Sequence, residues 1–206
     1  MIFYPLNTLT KAGIKKILII TGGEDVGDFM QLLGSGREFG VDFTYKVQDE
    51  AGGIAQALSL ARDFVGNEKV VVILGDNVFE DNISEFVNDF ENSNYEAMVF
   101  LKDVEDAQRF GVAEIDGERI VSIEEKPKHP KSNLAVTGLY MYTSKVFDII
   151  KTLRPSARGE LEITDINNNY VKKGTMTFRI LNGFWSDAGT FESMHRATNF
   201  VKEKSV

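Results

Sequence analysis

Two aspartates occupy positions where chemistry could occur, because each follows an apolar or aromatic stretch in a segment that contains glycine. Asp76 lies in Leu74-Gly75-Asp76-Asn77, directly after the apolar run 69–74, and Asp187 lies in Trp185-Ser186-Asp187-Ala188-Gly189. Ligands of open α/β sheets bind at the carboxyl ends of strands. Mg²⁺ takes one or two protein carboxylates together with substrate phosphates. The two aspartates are therefore candidate Mg²⁺ ligands, although a turn aspartate or a favourable charge at a helix start has the same pattern.

Two basic residues could hold the anion that such a metal site accompanies. Lys126 lies in Glu124-Glu125-Lys126-Pro127 at the end of a predicted strand, and Arg158 lies in the loop Ser156-Ala157-Arg158-Gly159. A single lysine or arginine of this kind is more often a solvated surface charge. Next to two carboxylates, the pair favours a magnesium–phosphate site, because a phosphate needs compensating cations.

Neutral groups for recognition recur at predicted strand ends. The amide of Gln48 precedes Gly52-Gly53 and could recognise the edge of a base by complementary hydrogen bonds. Gly111 and Gly138 allow a ligand to approach the backbone closely, as sugar hydroxyls would require.

Composition excludes several classes of protein. The chain has 206 residues, a formal net charge of −8 and no cysteine, which excludes a disulfide scaffold, a zinc ribbon, an iron–sulfur cluster and a thiol nucleophile. The acidic balance argues against a nucleic-acid partner, since non-specific binding depends on Lys and Arg contacts to phosphate. No apolar run approaches the roughly 20 residues that span a bilayer, and the N-terminus does not resemble a signal peptide. We therefore expect a cytoplasmic protein with no membrane partner.

Apolar periodicity predicts an α/β fold: a Rossmann-like mixed, mostly parallel sheet flanked by helices, with antiparallel additions in the second half. A hairpin is predicted at Asp116-Gly117, and Ser144 and Thr164 are predicted to begin two helices. Strands are predicted at 16–21, 41–48, 69–74, 96–101, 112–115, 120–125, 135–142 and 177–181. Helices are predicted at 3–12, 28–33, 54–64, 83–90, 146–153 and 166–173, and from Thr190 onwards.

Seven segments, in this order along nearly the whole chain, resemble the sugar-phosphate nucleotidyltransferases. They are VQDEAGGIAQAL (47–58), LGDN (74–77), RFGV (109–112), EEKP (124–127), AVTGLYMY (135–142), PSARGELEITDIN (155–167) and WSDAGT (185–190). The family transfers a nucleotidyl group from a nucleoside triphosphate to a sugar 1-phosphate and releases pyrophosphate. The resemblance implies the nucleotide-diphospho-sugar transferase fold, Mg²⁺ as cofactor, dTTP and glucose 1-phosphate as substrates, and dTDP-glucose as a product that feeds deoxysugar synthesis. Uridylyl transfer is the alternative, because Gln48 accepts either pyrimidine.

The resemblance also implies a role for each matching residue. Asp76 and Asp187 would bind Mg²⁺ and, with Lys126, form the catalytic set. The substrate-binding residues would be Gln48 and Gly53 for the base, Gly111, Glu125, Thr137 and Gly138 for the sugar, Asn77 near the sugar hydroxyls, and Lys126 and Arg158 for the sugar phosphate.

Two features depart from the family pattern. The segment Asp49-Glu50-Ala51-Gly52 replaces a proline-containing turn, which leaves the identity of the base open. The family's first strand and its glycine-rich triphosphate loop with arginine do not precede Met1. We therefore expect residues 1–206 to form a single nucleotidyltransferase domain that is N-terminally incomplete, poorly stable or self-associating, and capable of little or no thymidylyl transfer. A non-catalytic sugar-phosphate or nucleotide-sugar binding module is the alternative function, and a homo-oligomer is compatible with either function.

Overall fold

A computed structural model describes residues 1–204. Its helices are α1 Phe3–Lys11, α2 Val26–Leu33, α3 Ile54–Ser59, α4 Arg62–Val65, α5 Ser84–Asn92, α6 Val146–Ile150, α7 Ile163–Lys173 and α8 Phe191–Lys204. Its strands are β1 Lys16–Gly22, β2 Asp42–Gln48, β3 Val70–Ile73, β4 Val78–Phe79, β5 Ala97–Asp103, β6 Gly111–Asp116, β7 Arg119–Glu125, β8 Leu134–Tyr142, β9 Met176–Ile180 and β10 Trp185–Ser186.

The main sheet has six strands, in the order β7-β6-β8-β5-β9, with β3 paired to β8. Its centre is β8, in which eight successive residues from 135 to 142 are buried, as expected for a strand that is covered on both faces. Strand β5 beside it is also apolar and buried from Ala97 to Leu101. A separate parallel pair, β1 and β2, lies beside this sheet with Lys16 opposite Asp42.

The predicted α/β class is confirmed, and the pairing adds one correction to the mostly parallel sheet. Strands β3, β5 and β6 all run antiparallel to β8, whereas β9 runs parallel to β5. Four of the six strands therefore point the same way, but most neighbouring strands are antiparallel because β8 runs between them. The predicted hairpin at Asp116-Gly117 is also confirmed, since β6 and β7 pair directly across it.

Local competition for hydrogen bonds explains the other differences. The helix predicted over 54–64 is broken into α3 and α4, where the Ser59 hydroxyl donates to the Gln56 carbonyl and the next two amides take three-residue turns. Ser144 and Thr164 do not begin their helices. The N-cap positions of α6 and α7 are occupied by Lys145 and Glu162. The Thr164 hydroxyl donates to Glu125 instead.

A two-residue ribbon fixes the cleft described below. Strands β4 and β10 pair antiparallel, with Phe79 opposite Trp185 and Val78 opposite Ser186. The ribbon joins the loop after β3 to a segment more than 100 positions later in the chain, and it therefore brings the LGDN and WSDAGT segments side by side.

Beside β3 the packing is open. A cavity of about 770 Å³ lies between β1 and β3 and is walled by apolar side chains of α1, α3 and α4. Strand β1 pairs only with β2, and β3 pairs only with β8, among residues 1–204. We call this cavity the β1–β3 slot. No described helix is long and apolar enough to span a membrane.

Candidate active site

Most of the residues singled out from the sequence line one cleft of about 600 Å³ at the strand ends. Those in its wall are Asp76, Asn77, Gly111, Glu125, Lys126, Thr137, Gly138, Arg158 and Asp187. Gln48 and Gly53 are not in the wall and lie around a neighbouring loop, where only Ile54 reaches the cleft. The structure thus brings together the residues predicted for metal, sugar and phosphate, and it places the residues predicted for the base to one side.

The carboxylates of Asp76 and Asp187 converge on Gly189. The point at which a β-carbon on Gly189 would stand lies 2.9 Å from Oδ2 of Asp187 and 3.9 Å from Oδ2 of Asp76. A larger residue at Gly189 would therefore press on Asp187 and occupy space beside both carboxylates. The convergence of two aspartates that lie far apart in the chain depends on the β4–β10 ribbon.

One oxygen of Asp187 lacks a donor. Oδ2 accepts hydrogen bonds from Arg109 Nη2 at 2.8 Å and from the Gly189 amide at 3.3 Å. Oδ1 is buried and has no hydrogen-bond partner among the described residues. A buried oxygen left unpaired costs about 1–3 kcal/mol, so the site is suited to a cation or donor that the protein does not itself provide. Two hard carboxylates and one free oxygen fit Mg²⁺.

Asn77 connects Asp76 to the buried residues Trp185 and Gly138 by hydrogen bonds. It is only 2% exposed, and its Oδ1 accepts hydrogen bonds from Trp185 Nε1 at 2.8 Å and from the Gly138 amide at 3.1 Å. Its Nδ2 donates to Oδ1 of Asp76 at 2.8 Å. Gly138 is required here, because a β-carbon at that position would stand 2.6 Å from Asn77 Oδ1. The Asn77 side chain thus positions Asp76, while its predicted contact with sugar hydroxyls stays a prediction.

Lys126 adopts an unusual backbone conformation. It is the one non-glycine residue with positive φ, at 45°, within the described part of the chain. A side chain in the left-handed region is strained, and the following Pro127 restricts the backbone further. The amide of Lys126 donates to the carbonyl of Phe110 at 3.0 Å, which continues the β6–β7 pairing and holds the strained turn beside the start of β6. Local strain of this kind is typical of functional sites.

Arg158 is surrounded by carboxylates. Its guanidinium contacts Glu162 at 2.7 Å, Glu160 at 3.4 Å and Glu125 at 3.6 Å. Burial raises the pKa of Glu162, but the hydrogen bonds from Arg158 and Ser156 outweigh this effect, and the pKa lies below its ordinary value. Arg158 is therefore held in place before any anion arrives.

The wall predicted to bind sugar contains small and hydroxyl-bearing residues. A β-carbon on Gly111 would stand 3.4 Å from both Glu125 Oε2 and Thr164 Oγ1. The Thr164 hydroxyl donates to Glu125 Oε2 at 2.5 Å. The hydroxyl of Thr137 is buried with no partner among the described residues. The wall therefore offers both an anchored carboxylate and a hydroxyl that has no other partner, which suits a polyhydroxyl ligand.

Gln48 is part of a small amide network. Its Nε2 donates to Gln56 Oε1 at 2.6 Å and to the Gly53 carbonyl at 3.3 Å, and the Gly52 amide donates to the same Gln56 oxygen at 3.1 Å. Gly53 has φ +93°, and a β-carbon there would stand 2.6 Å from the carbonyl oxygen of Leu161. In this network the side-chain nitrogen of Gln48 is used inside the protein, while its side-chain oxygen has no hydrogen-bond partner among the described residues.

The cleft carries more negative than positive groups. Five carboxylates (Asp76, Glu125, Glu160, Glu162 and Asp187) and three cations (Arg109, Lys126 and Arg158) line it, which leaves a formal net charge of −2. Such a cleft would repel an anionic ligand on its own, and a divalent cation would cancel this charge. No group of three or more His, Cys, Asp or Glu side chains within residues 1–204 could hold a metal. A cation would thus need oxygens from water or substrate beside the two aspartates.

Sequence reasoning missed three contributors. Arg109 lies in the RFGV segment and pairs with Asp187, Trp185 anchors Asn77, and Glu162 holds Arg158. The spacing of Arg158 and Glu162 gave no signal for their contact, because both residues precede α7 and the four-residue rule applies only within a helix. The contacts of Arg109 and Trp185 with residues about 80 and 110 positions away had no local signal, because they depend on the β4–β10 ribbon.

Paired carboxylates and fixed cations around one cleft, at the strand ends of an α/β sheet, are typical of an enzyme that acts on phosphorylated ligands. A family model described as "Nucleotidyl transferase" matches residues 1–204. The chain belongs to this family of enzymes. The family membership confirms the resemblance that the seven segments indicated.

Individual relatives agree. A glucose-1-phosphate thymidylyltransferase of Neisseria meningitidis serogroup A is 46% identical over 206 residues, which cover 98% of this chain and 72% of the relative. A solved structure from Bacillus anthracis, described as a glucose-1-phosphate thymidylyltransferase in complex with sucrose, is 57% identical. It has a TM-score of 0.92, and the match covers 97% of this chain and 81% of that one. A UDP-glucose pyrophosphorylase complexed with UDP-glucose is 25% identical, with a TM-score of 0.82 and coverage of 98% and 86%.

Proposed function

We propose that this protein transfers a thymidylyl group from dTTP to glucose 1-phosphate, giving dTDP-glucose and pyrophosphate. The proposal rests on the relatives named for this reaction, which are 46% identical over nearly the whole chain. The observation that carries the chemistry is the convergence of Asp76 and Asp187 beside Lys126 and Arg158 in one cleft.

The reaction matches the residue types in the cleft. An oxygen of the sugar phosphate attacks the α-phosphorus of the triphosphate, a new P–O bond forms, and the bond to the β-phosphate oxygen breaks to release pyrophosphate. The attacking oxygen is already anionic at neutral pH, so the protein does not need a general base. Positioning of the two anions and neutralisation of their charge therefore account for catalysis.

Each side chain has a definite task in this scheme. Lys126 and Arg158 hold the phosphate of the sugar 1-phosphate, Glu125, Thr137 and the glycines at 111 and 138 accommodate the hexose, and Asn77 keeps Asp76 aligned. Asp76 and Asp187 would hold Mg²⁺, which when bound supplies positive charge to the reacting phosphates. The unpaired Oδ1 of Asp187 and the net negative charge of the cleft support this assignment.

Uridylyl transfer is the second candidate. It is favoured by the likeness to a UDP-glucose pyrophosphorylase and by Gln48, whose side-chain oxygen could accept a hydrogen bond from the ring N–H of either pyrimidine. The relatives named for thymidylyl transfer have the higher identity, and we therefore rank dTTP first.

The test measures Mg²⁺-dependent pyrophosphate release from dTTP or UTP with glucose 1-phosphate, and calorimetric binding of dTDP-glucose or UDP-glucose. We expect a preference for the thymine nucleotides. Asp187→Asn should lower pyrophosphate release at least about a hundredfold, because it removes charge stabilisation worth several kcal/mol in the transition state. Asp116→Asn, at the tip of the β6–β7 hairpin, is the charge-matched control.

A loss of less than about threefold in Asp187→Asn, with a melting temperature equal to that of the control, would contradict the role of Asp187. Binding of UDP-glucose in preference to dTDP-glucose would favour the second candidate. Failure to bind either nucleotide-sugar would contradict both. A cytoplasmic location and a homo-oligomeric state remain predictions from the sequence.

A further inference from the structure

Arg109 has a place in the cleft that the reaction does not yet explain. It ends the short 3₁₀ turn Ala107–Arg109, immediately before Phe110 and β6. Its Nη1 donates to Asp106 at 2.9 Å and its Nη2 donates to Asp187 at 2.8 Å. Its guanidinium also lies over the ring of Phe110, 4.9 Å from the centroid. A carboxylate on each side and a ring beneath therefore hold the guanidinium in position.

The pair of Arg109 and Asp187 is well shielded from water. The side chains are 28% and 15% exposed, respectively, so solvent screens the pair only in part. Asp106 is in turn shared with Arg196 of α8 at 3.5 Å. Burial raises the pKa of Asp106, but the hydrogen bond from Arg109 and the charge of Arg196 outweigh this effect, and the pKa lies below its ordinary value. Asp106 thus remains charged and keeps the guanidinium oriented.

We propose that Arg109 is the resident counter-ion of Asp187: its guanidinium neutralises this carboxylate in the empty cleft, so that the cleft takes up a divalent cation readily only together with a phosphate anion. This inference extends the proposed function. It rests on that function only for the choice of glucose 1-phosphate as the anion in the test below. Arg109 would be a positioning residue for Asp187.

The argument follows from charge and geometry. The guanidinium uses Oδ2 of Asp187 and leaves Oδ1 without a partner, so a cation at Oδ1 would stand within a few ångströms of a fixed positive charge. Repulsion between a divalent and a monovalent cation at this distance lowers affinity by about tenfold even at high dielectric. An anion bound at the same time offsets this repulsion, and it also finds a cation in Arg109. The same residue therefore weakens binding of the cation alone and strengthens binding of the cation–anion pair.

The experiment measures Mn²⁺ binding to the chain by the loss of the free-ion signal in electron paramagnetic resonance. Mn²⁺ is the probe, used first without any anion and then with saturating glucose 1-phosphate. In Arg109→Gln we expect the dissociation constant for Mn²⁺ alone to fall about tenfold. We expect the gain in Mn²⁺ affinity that glucose 1-phosphate produces in the wild-type chain to shrink by a similar factor.

Three variants serve as controls. Arg109→Lys keeps the positive charge and should restore the wild-type affinity for Mn²⁺ alone. Asp106→Asn leaves the pair of Arg109 and Asp187 intact and should change this affinity less than threefold. In an Asp187→Asn background, Arg109→Gln should have no effect, which assigns the measured ion to this cleft. Circular dichroism melts identify any variant that fails to fold. If Arg109→Gln fails, Arg109→Met provides the second uncharged variant, for which the same tighter binding of Mn²⁺ is expected.

The sign of the change decides the proposal. Tighter binding of Mn²⁺ by Arg109→Gln than by the wild-type chain supports the proposal. Measurable binding by the variant when the wild-type chain binds too weakly to measure supports it equally. An unchanged or weaker complex overturns it, because Arg109 would then only hold Asp187 in a binding geometry. Absence of any effect of glucose 1-phosphate on the wild-type chain would overturn the coupling of cation and anion and would also count against the proposed function. The measurement without the anion would still decide whether Arg109 opposes binding of the cation alone.

Discussion

The cleft and the β1–β3 slot are bounded in opposite ways. Around the cleft, side chains are fixed by hydrogen bonds and ion pairs, such as those of Asn77, Arg109 and Arg158. Around the β1–β3 slot, the walls are mostly apolar, and the two strands that face each other across it each pair on one side only. Hydrogen bonds fix direction as well as distance, whereas apolar contact does not fix direction.

The difference shows where this fold holds its geometry. Chemistry at the cleft needs side chains that keep their orientation, and the main sheet provides them through β8, whose residues are almost entirely buried. The β1–β2 pair is tied to the rest of the molecule chiefly by apolar contacts of its own core, which includes Leu6, Ile17 and Ile19. We therefore expect the two regions to respond differently to matched substitutions.

The largest expected contrast comes from two leucines. Leu139 in β8 is fully buried, and Leu139→Ala should destabilise the chain by about 3–4 kcal/mol, since it leaves a closed void. Leu18 lines the slot, so Leu18→Ala should cost only about 1 kcal/mol because its side chain already borders empty space. Urea unfolding followed by circular dichroism measures both. Equal losses would mean that the slot is closed in solution.

A smaller contrast, with opposite signs, is expected from two alanines. Ala57 lines the slot, and Ala57→Leu should stabilise the chain by up to about 1 kcal/mol because it fills apolar space. Ala113 is fully buried in the main sheet, and Ala113→Leu should destabilise it by about 1–3 kcal/mol through overpacking. Thermal melts at one protein concentration provide the comparison. Loss of stability in Ala57→Leu would show that the slot does not accept added volume.

The smallest effect concerns pH. Because the pKa of Glu162 is lowered in the folded chain, its ionised form contributes stability above the pKa of the unfolded chain, and this contribution is lost as pH falls through the folded pKa. Glu162→Gln should therefore lower stability by about 0.5–1 kcal/mol at pH 7, a value discounted because Arg158 is partly exposed. The difference from wild type should shrink as pH falls below the ordinary glutamate pKa of about 4.3 and should vanish below the lowered pKa of the folded chain.

Unfolding by urea at pH 7, about 4 and about 3 measures this effect, because the contribution changes only below the ordinary glutamate pKa. Arg158→Gln removes the other partner and should produce the same flattening of the pH profile. A constant difference across the pH range would assign the effect of Glu162 to packing instead of charge.

Much of the fold follows from local signals in the sequence. The Asp116-Gly117 turn and the apolar runs of β3, β5 and β8 were sufficient to predict strands, because such patterns depend on neighbours along the chain. The ribbon of β4 and β10 was missed, since two residues are too few to show a period. The order and direction of the strands around β8 could not be predicted from the local pattern either, because strand pairing depends on contacts between distant segments.

The candidate site was predicted to a different extent for each residue. Asp76, Lys126, Arg158 and Asp187 were found because their residue types and strand-end positions suit phosphate chemistry. The task of Asn77 beneath Asp76 was not found, since it depends on Trp185 and Gly138, which reach it through folding alone. The role of Arg109 was not predicted either, because its contact with Asp187 also forms only in the folded chain.

The β4–β10 ribbon also determines the order in which parts of the molecule can form during synthesis. Asn77 receives its bond from Trp185, 108 residues further along, so the LGDN turn leaves the ribosome long before its partner exists. Every strand of the main sheet lies before position 181 and can pair while the WSDAGT segment is still being made. The scaffold can thus assemble first, and the acidic centre becomes complete only when the WSDAGT segment emerges.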